Sequence, residues 1–131
     1  MRRKEILMLS AGVIIILVVL VLLFGKKSHR FDYSVEDIKS IYITNGVNGE
    51  VVEVQKEELL KIAELVNQIE MQGGEEADST GWAYNIKISD EKREYNITLI
   101  SDVSIVVDNK RYEIINQTGK EIFDICKAFF N

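Results

Sequence analysis

The chain has no proline, one cysteine, one histidine and one tryptophan among its 131 residues. A single cysteine, Cys126, cannot close an internal disulfide, so whatever folds here is held by its core. Nucleophilic catalysis needs a nucleophile and a base held together, and zinc needs several nitrogen or sulfur ligands. With His29 as the one imidazole, neither is expected. Between Ser28 and Arg30, His29 reads as a solvated linker residue. Cys126 falls on the apolar side of the last helical segment and reads as a small core residue rather than a reactive thiol. The glycines at 46, 49, 73 and 74 precede no lysine-bearing helix, so they read as turn and cap residues and not as a phosphate cradle. No catalytic residue, metal or cofactor is expected, and the chain reads as a non-enzyme. The missing proline, with heavy use of Ile, Lys, Asn and Glu, looks bacterial. The acceptor-like tripeptides at 96–98 and 116–118 then carry no sugar.

What the chain does have begins at its start. From Ile6 to Phe24 it runs nineteen residues without a charge, followed by Gly25, Lys26 and Lys27. As a helix this run is roughly 28 Å long, close to the ~30 Å hydrocarbon core of a bilayer. A cleaved signal peptide is the competing reading, but its apolar core is shorter and ends in a small-x-small site. The run ends Val21, Leu22, Leu23, Phe24 instead, so a retained single-pass signal anchor is preferred. No cysteine lies in or directly after this run to carry a lipid. Arg2, Arg3 and Lys4 before the span are matched by Lys26, Lys27 and Arg30 after it, so flanking charge alone does not orient it. The early position of the helix favours a short tail inside and the rest outside. The expected division is 1–25 tail and anchor, 26–37 tether, with Phe31 and Tyr33 as interfacial aromatics, and 38–131 an extracytoplasmic domain.

Charge divides the same way. Residues 1–30 hold six basic residues against one acid, while the remaining 101 hold ten against twenty, formally −10. So acidic a domain repels phosphate backbones, which argues against nucleic acid, and suits a protein or peptide partner with a basic surface. Oligomeric state is not legible.

Periodicity gives the architecture. Residues 40–44 alternate Ile41 and Ile43 with Tyr42 and Thr44, Asn45-Gly46 and Asn48-Gly49 supply a turn, and residues 50–54 resume an extended pattern, which predicts a β-hairpin. Over 56–72 the period changes: Leu59, Ile62, Ala63, Val66 and Ile69 form one helical stripe, ending at Gly73-Gly74. An acidic loop from Glu75 to Gly81 follows. Period two returns with Ile86 and Ile88, Tyr95, Ile97 and Leu99, Ile105 and Val107, then Tyr112 and Ile114, predicting a four-stranded meander. Residues 118–131 close with a second amphipathic helix carrying Ile122, Ile125, Cys126 and Phe129. The expected fold is α+β, order β-β-α-β-β-β-β-α, with both helices on one face of an antiparallel sheet and the other face, with Tyr42, Thr44, Asn85, Lys87, Asn96 and Thr98, in solvent.

Residues 38–70, GWAYNIKI at 81–88, YNITLIS at 95–101 and the final helix resemble small extracytoplasmic domains of unknown function from Gram-positive bacteria, which follow a membrane helix or lipid anchor. The resemblance implies location and fold, and it brings no activity.

Candidate contact residues are therefore few. Trp82 reads first as a core anchor and second as an exposed aromatic for a partner. Tyr42 lies on the wet sheet face. Glu75, Glu76 and Asp78 could offer oxygen ligands but lack the alternating layout of a calcium loop, so a solvated loop is preferred. The leading expectation is a membrane-tethered binding or sensory module. The alternative is an immunity or inhibitor protein that neutralises a basic toxin or enzyme, and the third is a carboxylate-based enzyme.

Overall fold

The computed structural model describes residues 15–16, 29–78 and 81–131. Apart from Ile15 and Ile16, the expected span from Ile6 to Phe24 lies outside the described residues, among which no helix is long and apolar enough to cross a membrane.

The domain is α+β. Its elements run β1 (Ser40–Asn45), β2 (Val51–Glu53), α1 (Lys56–Asn67), β3 (Met71–Glu76), β4 (Tyr84–Ser89), β5 (Glu94–Leu99), β6 (Ser104–Val107), β7 (Lys110–Ile114) and α2 (Thr118–Phe129). All seven strands form one antiparallel sheet in the order β2-β1-β4-β5-β6-β7-β3. The hairpin, the four-strand meander and the closing helix lie where periodicity places them. The meander's last turn is tight because Asp108 and Asn109 take φ of 50° and 64°, the left-handed pair that matches the twist of a two-residue hairpin.

Two expectations are corrected. The first helix does not reach residue 72, and the acidic stretch does not begin as a loop: α1 stops at Asn67, and Met71–Glu76 is a seventh strand that takes in Glu75 and Glu76 and leaves Ala77, Asp78 and Gly81 outside it, which makes the order β-β-α-β-β-β-β-β-α. Asn116 redirects the chain. Its side-chain amide donates to the Gln68 carbonyl at 2.7 Å and accepts from the Glu70 N–H at 3.3 Å, while the Ile115 N–H donates to the Glu70 carbonyl at 2.9 Å. These bonds capture backbone groups that a continuing helix would have used. Gly73 and Gly74, expected to cap the helix, instead sit within β3 at φ of 114° and 109°, where the pairing with β7 shifts register. A Cβ on Gly73 would lie 3.2 Å from the Arg111 carbonyl, and one on Gly74 would lie 3.3 Å from the Tyr112 ring. Glycine is required there both by backbone angle and by the ring lying over it.

The core is built largely of isoleucine. Ile41 and Ile43 pair with Ile88 and Ile86, and Ile86 in turn with Ile97, all fully buried on one side of the sheet. Leu59, Ile62, Ala63 and Val66 of α1 and Ile122 and Cys126 of α2 join them, so both helices cover that face. β-branched side chains suit strands because their χ1 stiffness costs little on a pleated surface.

Residues 29–37, within the stretch read as a tether, pack on the domain. His29 exchanges backbone hydrogen bonds with Met71 at the edge of β3, and Arg30 pairs with Glu70. Tyr33, read as an interfacial aromatic, is 6% exposed; its hydroxyl donates to the Ala63 carbonyl at 2.6 Å and its own carbonyl accepts from the Asn67 amide at 2.7 Å. Its ring meets Tyr95 at a centroid distance of 5.2 Å, and Phe31 packs against the same cluster.

Candidate functional site

Because successive side chains in a strand alternate faces, burying Ile41 and Ile43 forces Tyr42 and Thr44 to the opposite side. The same parity holds across the sheet. One row of direct partners crosses all seven strands: Val51, Thr44, Asn85, Thr98, Val106, Arg111 and Glu75. A second row joins Glu53, Tyr42, Lys87 and Asn96. Not one residue of either row is buried, in contrast to the helix-covered side. The Asn85 amide donates to Asn96 and, at 3.0 Å, to Thr98 Oγ1, while Lys87 lies 3.5 Å from Glu94. The open face is thus an ordered polar surface whose side chains are held by one another, with Tyr42, 38% exposed, as its large aromatic.

The five candidate contact residues do not converge. Tyr42 on β1 and Glu75 on β3 are five strand spacings apart, roughly 24 Å. Trp82 lies two residues before the start of β4. It is 39% exposed, with its ring against Gly46 at the end of the β1–β2 hairpin, where a Cβ would lie 2.9 Å from the indole. Trp82 and Tyr42 therefore belong to one end of the sheet, and Glu75, Glu76 and Asp78 to the other.

At that other end the acids are answered by bases that sequence reading did not pair with them. Glu75 lies opposite Arg111 and Glu76 opposite Lys110, and the Arg111 guanidinium is 3.8 Å from Asp78. The missed signal was the Gly-Gly pair followed by two acids facing the Lys-Arg of a hairpin, which fits a bulged strand as well as a loop. A shallow cleft of about 740 Å³ opens here, with His29, Gln72, Ser104, Arg111, Tyr112 and Glu113 among its lining. Four of its lining groups are engaged in pairs: Arg111 Nε donates to Ser104 Oγ at 3.0 Å, and the His29 ring meets the Tyr112 ring edge-on at 5.2 Å. No group of three or more His, Cys, Asp or Glu residues is placed to share a metal ion among the described residues.

Three further titratable groups serve the fold. Burial pushes the Cys126 thiol up to about 12, so it stays protonated inside the core. Burial, with Tyr95 adding to it, also raises Tyr33. The N–H groups of Lys92 and Arg93 hold the Asp90 carboxylate below its usual range, at 2.7 and 2.6 Å from Oδ1.

The chain matches no family model and no curated protein. A crystal structure of a "Putative Lipoprotein" from Clostridium perfringens superposes on it with a TM-score of 0.54. The two are 22% identical, and the match covers 74% of this chain and 87% of that one. At that identity the likeness is one of fold: the α+β arrangement of this domain recurs in the clostridial protein.

Proposed function

We propose that this chain is a membrane-tethered, extracytoplasmic binding module without catalytic activity, which meets a protein or peptide partner through the open face and hairpin edge of its sheet. The observation that carries the reading is the unburied face itself. Seven strands present polar rows with an exposed tyrosine, while the helices seal the opposite side. The apolar run Ile6 to Phe24 supports a tether, and the description of the clostridial fold neighbour as a lipoprotein supports an outer location. The reading of an inhibitor that neutralises a basic toxin draws on the domain's formal charge of −10. Its acids at Glu75, Glu76 and Asp78 are opposed by Lys110 and Arg111, which leaves Glu50 and Glu53 beside the hairpin as the better contact for a cation.

Location is tested with Val47→Cys. This position is 90% exposed, and the native Cys126 is too deeply buried to label. A membrane-impermeant maleimide should modify the variant in intact cells. Labelling only after lysis would place the domain inside and defeat the reading, as would turnover of cell-wall or peptide substrates by the purified protein.

A further inference from the structure

We propose that the outer edge of β2 docks an extended, basic segment of a partner protein, which joins the sheet as an eighth strand. This rests on the reading of the chain as a binding module and specifies the partner's chemistry. The Asn45 N–H donates to the Glu50 carbonyl at 2.8 Å, the Val54 N–H to the Ile41 carbonyl at 2.9 Å, and Ile43 is the partner of Val52. In an antiparallel ladder, inward and outward backbone groups alternate. Val52 therefore spends its N–H and C=O on β1, and those of Val51 and Glu53 point outward. Two donors and two acceptors at two-residue spacing are what strand addition requires.

The two sheet edges are not equivalent. On β3, Met71 is already bonded to the backbone of His29, and the strand is bulged at Gly73/Glu75. Such features blunt an edge. β2 pairs with β1 alone and carries neither bulge nor proline. It is also the edge farthest from His29, where the chain arrives from its anchor, by six strand spacings or roughly 29 Å. Side chains set the chemistry of the occupant. Val51 is 56% exposed, and Glu50 and Glu53 flank it in solvent. Val51 and Glu53 share one face of this edge and Glu50 and Val52 the other, so an incoming strand meets a valine and a carboxylate on each face, which suits aliphatic and Lys or Arg residues in successive pairs. A second copy fits poorly, since it would bring two such acidic edges, each on a domain of formal charge −10, against one another.

The test uses the full chain in neutral phosphatidylcholine nanodiscs. Its probe is a labelled heptapeptide of sequence Val-Val-Lys-Lys-Val-Val-Lys, which mixes the two residue types on each face of the strand, followed by fluorescence anisotropy. The structure predicts saturable binding that weakens with salt and is lost when glutamate replaces lysine in the peptide. Methylating alternate peptide nitrogens should weaken binding about tenfold or more, with charge unchanged. Val51→Pro removes one outward donor while sparing the bonds to β1, and should do the same. Glu50→Lys with Glu53→Lys should transfer preference to the glutamate peptide. Absence of binding, or equal binding of the methylated peptide and of the charge-reversed protein, would overturn the edge site. That failure is separable from failure of the module reading: cellular crosslinks from Tyr42 on the open face would survive the first and vanish with the second.

Discussion

The segment 29–37 ought to be worth a large share of the domain's stability, although its sequence reads as a linker. Tyr33 is 6% exposed, bonded through its hydroxyl to Ala63 and through its carbonyl to Asn67, and its ring packs on Tyr95. Tyr33→Phe removes one buried hydrogen bond while leaving the Ala63 carbonyl its helical partner, a loss of about 1 kcal/mol. For a domain near 100 residues this lowers the melting temperature by roughly 4–8 °C. Tyr33→Ala also opens a cavity, at about 3–5 kcal/mol, a large part of the ~5–15 kcal/mol that holds an ordinary domain. The assay is thermal unfolding followed by near-ultraviolet circular dichroism and by Trp82 fluorescence, comparing chains that begin at residue 29 and at residue 38. The shorter chain should melt far lower or fail to fold. Equal melting of the two chains would refute the clamp and restore 29–37 as a free tether.

Further predictions concern single groups. Cys126, raised to about 12 by burial, should resist thiol reagents in the folded protein and react on denaturation. Its folded pKa exceeds the unfolded value of about 8.5, so its contribution is complete below that pH and declines as pH rises through it. Cys126→Ala should therefore flatten the alkaline loss of melting temperature. For Asp90 the shift is downward, so its contribution is present above about pH 3.9 and disappears as pH falls through the folded value. The melting-temperature gap between the native chain and Asp90→Ala should close on acidification. At Gly119, where a Cβ would stand 2.4 Å from the Asp102 carbonyl and 2.9 Å from Ile114, alanine should cost about 1–3 kcal/mol, read in the same melt.

Much of this fold was legible because isoleucine alternates with polar residues wherever one strand face is sealed, as at Ile41/Ile43 and Ile86/Ile88. The open face with Tyr42, Asn85 and Asn96 followed from the same parity. The sequence misled where one residue serves two periods. Ile69 lies three beyond Val66, as in a helix, and two before Met71, as in a strand, and the switch is enforced by Asn116, over forty residues away. Gly73-Gly74 looked like a helix stop for the same reason, since positive φ serves a cap and a bulge alike. Tyr33 gave no periodic signal because it is buried by single long-range contacts and not by membership of an element. The pairing of Glu75 and Glu76 with Arg111 and Lys110 depends on register, which composition does not encode.

The central claim, that the open sheet face meets a partner outside the cell, is tested most directly by placing a photocrosslinking phenylalanine at Tyr42, at Asn96, which lies two strands along the same row, and at Leu60, an exposed position on α1. Irradiation of intact cells should yield one discrete adduct of the same mass from positions 42 and 96 and none from position 60. Adducts from Leu60 with none from the sheet would contradict the account and move the contact surface to the helices.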